Sequence, residues 1–96
     1  MLRITDNAKT VIRRLVSRVN GTKRGGLRIG HTAGSDELSI ELAPNPEATD
    51  EIVEQGGARV FIEEAASAEL ADKELDALID HGNVQFTLRD RMRLIQ

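Results

Sequence analysis

The hydrophobic period of this chain changes near Gly25-Gly26 from a helical spacing to a spacing of two, and that change limits the folds open to it. Before it, Ile4, Ala8, Val11, Ile12, Leu15, Val16 and Val19 recur as one apolar stripe, with Lys9, Arg13 and Arg14 on the opposite face. Thr5 or Asp6 is placed to cap such a helix, because a short side-chain oxygen accepts from an orphaned N–H. Asn20-Gly21 supplies a left-handed stop. After the change, Leu27, Ile29 and His31 alternate with Arg28, Gly30 and Thr32. Beyond the polar Ala33-Gly-Ser-Asp36 turn, Leu38, Ile40 and Leu42 alternate with Glu37, Ser39 and Glu41. Alternation on both sides of a turn predicts a hairpin with one buried face.

Pro44-Asn-Pro46 ends this hairpin, since proline cannot donate to a ladder. Ile52-Val53 and Ala58, Val60 and Ile62 flank Gly56-Gly57 as a second hairpin. Glu63 to Asp72, rich in alanine and glutamate, reads as a short helix whose acidic start suits the helix dipole. Leu75, Ala77 and Ile79, then Val84, Phe86 and Leu88, straddle His81-Gly-Asn83 as a third hairpin. The order is helix, hairpin, hairpin, helix, hairpin, with no repeat or linker. It predicts one α+β domain over residues 1–96, built of antiparallel hairpins with two helices packed outside and a short basic tail at 89–96. Leu15, Ile29, Ile40, Val60 and Phe86 are its expected core.

Charge divides the chain. Residues 1–31 carry eight basic side chains against Asp6 alone, a balance of +7, whereas residues 32–88 balance at −12 and the tail at +2. Either the basic helix and the acidic hairpins neutralise each other within the fold, or they meet across two copies; a homodimer is expected, weakened by salt if charge drives it. The net charge of −3, with no helix-turn-helix or zinc-finger signature, argues against nucleic acid. No run approaches the ~20 apolar residues that span a bilayer, and no signal segment follows Met1, so a cytoplasmic protein without a membrane role is expected.

Few residues suggest chemistry. There is no cysteine, which removes thiolate metal sites and cysteine nucleophiles together. His31, Asp36 and Glu37 lie close in sequence and are the candidates for a metal. His31, however, shares the phase of Leu27 and Ile29 and reads as a structural residue at the core rim. His81 reads as a turn residue. Gly21, Gly25 and Gly26 near Lys23 and Arg24 lead from a helix into a strand, the reverse of a phosphate loop. No serine stands in a nucleophile motif. A protein that is not an enzyme, has no cofactor and works through a protein partner is the expectation.

Two segments, Gly26-Leu-Arg-Ile-Gly-His-Thr-Ala-Gly-Ser35 and Glu51-Ile-Val-Glu-Gln-Gly-Gly-Ala-Arg-Val-Phe-Ile62, resemble the A-type, or HesB-like, iron–sulfur carriers, and the likeness runs from the first helix to about Leu88. The resemblance implies a β-sandwich or flattened barrel with helices outside, commonly dimeric. It also implies that Ser35 stands where the family presents a cluster-binding cysteine. The family's C-terminal Cys-Gly-Cys is replaced by Arg89-Asp-Arg-Met-Arg-Leu-Ile-Gln96. An alcohol is a hard, protonated donor where iron–sulfur ligation needs a soft thiolate. The expectation is therefore a degenerate HesB-like scaffold linked to cluster assembly through protein contacts. The alternative is a small binding or regulatory module unrelated to iron.

Overall fold

Thr5 is where the chain turns from strand to helix. Its Oγ1 accepts the Ala8 N–H at 3.1 Å and donates to Asp76 Oδ1 at 2.6 Å, capping the helix and tying it to a distant strand. A computed structural model of the chain describes residues 2–20, 25–32, 34 and 37–90, and for Val19 and Asn20 the backbone alone. The elements are β1 (Arg3–Ile4), α1 (Asp6–Asn20), β2 (Gly26–His31), β3 (Leu38–Ala43), β4 (Glu51–Gln55), β5 (Ala58–Ile62), α2 (Glu64–Leu70), β6 (Lys73–Asp80) and β7 (Asn83–Asp90). Because the cap is Thr5, Ile4 lies outside the helix. It belongs to β1, pairs with Leu75 of β6 and is buried, although its spacing continued the helical stripe.

The three hairpins foreseen from alternation are β2–β3, β4–β5 and β6–β7. They assemble into two sheets, β1-β6-β7 and β3-β2-β5-β4. Both are mixed: β1 runs parallel to β6, and β2 parallel to β5. Neither closes into a barrel. The Gly56-Gly57 turn has φ of 58° and 85°, the double left-handed geometry of a tight hairpin, and Arg13 of α1 donates to the Gly56 carbonyl. His81 and Gly82 take the same geometry at the tip of β6–β7, with φ of 52° and 83°. Arg89 and Asp90, read from the sequence as the start of a tail, pair with Glu74 and Lys73 inside β7; residues 91–96 lie outside the described residues.

One core joins both sheets. Ala8, Val11, Ile12 and Val16 of α1 meet Leu27, Ile29, Val60 and Ile62 from one sheet and Leu75 and Ala77 from the other, with Ala66 and Leu70 of α2. Ile29 and Val60 are fully buried as expected, whereas Leu15, Ile40 and Phe86 are only partly buried. The reason for two of them is position. Ile40 lies on β3 and Phe86 on β7, both edge strands with one neighbour among the described residues. Leu15 and the exposed Ile79 flank a cleft of about 190 Å³ under the β6–β7 tip, where the hairpin runs past the end of the packed helix face.

Phe61, which the pattern of Ala58, Val60 and Ile62 leaves out of the core, is fully buried. Phe61 is on the outer face of its sheet, and its ring fills the space above Gly26 in the neighbouring strand. A Cβ on Gly26 would lie 2.6 Å from the Arg59 carbonyl oxygen and 2.9 Å from the Phe61 ring. The Arg59 guanidinium stands 5.3 Å from the ring centre.

Candidate functional site

The end of β2 is where sequence reasoning gathered its candidates. The Thr32 N–H donates to the Glu37 carbonyl at 2.7 Å and closes the β2–β3 hairpin before its turn, in which Gly34 has φ of 75°. Ser35 and Asp36 lie outside the described residues. The side-chain partners of His31 among the described residues are two carboxylates that sequence reasoning had not grouped with it. Its Nε2 is 3.0 Å from Glu69 Oε1, its Nδ1 is 3.9 Å from Glu63 Oε1, and its backbone N–H donates to Glu63 Oε1 at 3.2 Å.

Local structure explains this cluster. Glu63 follows β5, whose parallel pairing with β2 brings the Glu63 N–H to the Ile29 carbonyl at 2.9 Å. Gly30 permits the approach, because a Cβ there would sit 3.1 Å from Glu63 Cβ. α2 then carries Glu69 one and a half turns onward to the imidazole. The result is an imidazole between two carboxylates, a clamp that binds α2 to the end of β2. The carboxylates face different ring nitrogens. Among the described residues no group of three His, Cys, Asp or Glu side chains is arranged to hold a metal ion. His81, the other histidine, is at the exposed tip of the other sheet beside Asp80, with Nδ1 3.7 Å from its Oδ1.

A second polar cluster covers the outer face of the four-stranded sheet. Arg28 Nε donates to Asp50 Oδ2 at 3.0 Å and Nη2 to Oδ1 at 3.1 Å, a bidentate pair in which the Asp50 side chain is 1% exposed. Asp50 Oδ2 also accepts the Glu47 N–H at 2.9 Å, which folds the loop after β3 onto the sheet. Burial alone would raise the Asp50 carboxyl, but the Arg28 guanidinium and the Glu47 N–H outweigh it and hold it below the usual carboxylate range. The same bond to Asp50 raises Arg28.

The basic face of α1 is a third region. Lys9 pairs with Asp6 at 3.5 Å and Arg13 is held by the Gly56 carbonyl, yet the Arg14 and Arg18 side chains form no ion pair or hydrogen bond with a described residue. No ion pair among the described residues joins this face to the acidic hairpins, although Glu54 lines the same cavity as Arg13. Beside it lies a cavity of about 440 Å³, lined by Ile12, Arg13, Val16, Ser17, Glu54 and Arg59 with the backbone at Gly25 and Gly57. No helix among the described residues is long and apolar enough to cross a membrane.

No family model matches the chain. No curated protein matches it either. Solved structures do. The chain is similar to the crystal structure of Escherichia coli SufA, involved in biosynthesis of iron–sulfur clusters, at 26% identity and a TM-score of 0.77, over 93% of this chain and 84% of SufA. It is similar to the solution structure of a protein from Aquifex aeolicus at 24% identity and a TM-score of 0.71, over 94% of this chain and 91% of that one. It is also similar to IscA solved with a [2Fe-2S] cluster, at 18% identity and a TM-score of 0.64, over 94% and 85%. The α+β architecture that the resemblance implied is thus shared with SufA and IscA. The donors are not those of a thiolate-held cluster: the 96 residues hold no cysteine, and His31 is engaged by Glu63 and Glu69.

Proposed function

We propose that this protein is a non-enzymatic scaffold with the SufA and IscA fold that acts in iron–sulfur cluster assembly through contacts with a protein partner in the cytoplasm, without holding a cluster itself. The observation that carries the reading is the match to SufA over 93% of the chain, combined with a sequence that offers serine and histidine but no thiolate. Iron in such clusters is held by deprotonated sulfur. A serine hydroxyl remains protonated at neutral pH, and His31 ends a strand of the four-stranded sheet while His81 lies in the β6–β7 turn of the other, so within one chain they do not form a paired histidine shell.

A second reading, a binding module unrelated to iron, is favoured by one observation. Arg14 and Arg18 stand on α1 without acidic partners among the described residues, beside an open cavity, and suit an anionic ligand.

The test has two arms. Purified protein incubated anaerobically with ferrous iron and sulfide, then desalted, should stay colourless, and a stable visible absorption with matching iron and sulfide overturns the cluster-free reading. In the second arm, purified SufA or IscA is titrated with the protein and cluster transfer to an apo-ferredoxin is followed by absorbance. A changed transfer rate supports the assembly role. No change at saturating protein favours the unrelated module.

A further inference from the structure

From Asn83 to Arg89 the outer edge of β7 presents backbone groups that no other described strand pairs with. Among the described residues this eight-residue strand pairs with β6 alone. The other edges are blunted. β1 is two residues long, β3 runs into Pro44-Asn-Pro46, and β4 carries Glu51 and Glu54. β7 has no proline, no lysine and no charge before Arg89. Its inward residues Val84, Phe86 and Leu88 are packed against the core but only partly buried, and Ile79 beside Val84 is 54% exposed.

We propose that β7 pairs antiparallel, edge to edge, with β7 of a second copy across a two-fold axis, setting Phe86 beside the partner's Phe86 and Val84 beside the partner's Leu88. The proposal stands apart from the role in cluster assembly and does not rest on it.

Register follows from the pleat. Directly opposed residues of an antiparallel pair point to the same face, so even-numbered residues of β7 must meet even-numbered residues of the partner. Two such registers pair seven of the eight residues. In one, Val84 meets the partner's Asp90, placing a carboxylate in the apolar face. In the other, apolar residues meet only apolar residues, and this is the register the sequence selects. It extends the rows already set by β6–β7. Ile79 and Val84 continue into the partner's Leu88 and Leu75, and Ala77 and Phe86 into the partner's Phe86 and Ala77. The exposed Ile79 of one copy thereby falls in line with a residue type that is fully buried in the other.

Charge agrees on the outward face. Gln85 meets the partner's Thr87, and Asn83 meets the partner's Arg89, so no like charges oppose one another. Arg89, held by Glu74 at 3.1 Å, shares its cross-sheet row with the partner's Asp80, a carboxylate whose side chain is 71% exposed. The contact is the same patch on both copies, so it closes as a dimer and does not propagate.

Sedimentation of the purified chain from micromolar to hundreds of micromolar, with two variants, tests this. The native chain should show a monomer–dimer equilibrium. Gln85→Lys/Thr87→Lys opposes lysines at two symmetry-related positions and should weaken the dimer about tenfold or more. Gln85→Glu/Thr87→Lys puts opposite charges at the same positions, keeps lysine beside Asp76 of β6 as in the double-lysine variant, and should restore dimerisation to the native level or beyond. A monomer at every concentration, a dimer unaffected by Gln85→Lys/Thr87→Lys, or no recovery in Gln85→Glu/Thr87→Lys each overturns the proposal.

Discussion

Phe61 lies on β5, an inner strand of the four-stranded sheet, and is fully buried. Phe86 lies on β7, an edge of the three-stranded sheet, and is only partly buried. The two phenylalanines mark a difference between the sheets. In the four-stranded sheet both faces are occupied: Val60 and Ile62 enter the core, while Phe61 is roofed by Arg59 and borders the Arg28–Asp50 pair through its register with Arg28. In the three-stranded sheet one face is covered and the far end of the hairpin projects past α1. The lesson is that strand position, more than residue type, sets how much of a side chain's apolar surface leaves water.

The largest effect that would break this comparison is at the phenylalanines themselves. Phe61→Ala should lower unfolding free energy by about 3–5 kcal/mol, and Phe86→Ala by about 1–2 kcal/mol in dilute, monomeric protein. Urea unfolding of both variants at one low concentration checks it. Equal losses would mean that the edge strand is as tightly held as the inner one.

Next come the two carboxylates held by partners on other elements. Asp50→Asn leaves Arg28 without its counter-charge and should cost about 2–3 kcal/mol at neutral pH. Asp76 is also held below the usual carboxylate range, first by the Thr5 hydroxyl, then by the Ala77 N–H and Arg89. It is more exposed than Asp50, so Asp76→Asn should cost less. Both shifts have the same sign. A carboxyl whose folded value lies below its unfolded value of about 3.9 adds stability that is complete above that value and is lost as pH falls through the folded one. Thermal unfolding from pH 6 to pH 2 should show a steep acid decline in the native chain and a shallower one in Asp50→Asn. An unchanged acid slope would remove Asp50 from the account.

The smallest effect is at the hairpin tip. His81 is the one non-glycine residue with positive φ among the described residues, at 52°. Glycine adopts that conformation without the Cβ contact that penalises other residues, so His81→Gly should raise stability by up to ~1 kcal/mol. A loss in differential scanning calorimetry would show that the His81–Asp80 contact outweighs the backbone relief.

What was legible in the sequence was local. The helix stripe and the turns each depend on residues a few positions apart; the stripe from Ala8 to Val16 and the turns at Gly56-Gly57 and His81-Gly82 appeared where periodicity placed them, whereas Ile4 fell outside the helix. What was hidden depended on partners far along the chain. The parallel contacts β1–β6 and β2–β5 leave no pattern in either strand alone. Without the second of these, Glu63 and Glu69 could not be seen as the partners of His31, which sequence proximity had grouped with Asp36 and Glu37. Phe61 was hidden for another reason: alternation identifies one face of a strand, and it is silent on whether the other face is also covered. The family resemblance supplied the architecture that these local signals could not.

The Thr5–Asp76 bond joins residues 71 positions apart, and β1 has no strand partner but β6 among the described residues. During synthesis at roughly 5–20 residues per second, Arg3 and Ile4 therefore emerge several seconds before the strand they need. The helix and the first two hairpins have their local partners by then, while the amino-terminal segment must wait with Leu2 and Ile4 unburied. Completion of the three-stranded sheet must therefore wait for β6, and a nascent chain stalled before residue 73 would keep Leu2 and Ile4 exposed as chaperone-accessible apolar side chains.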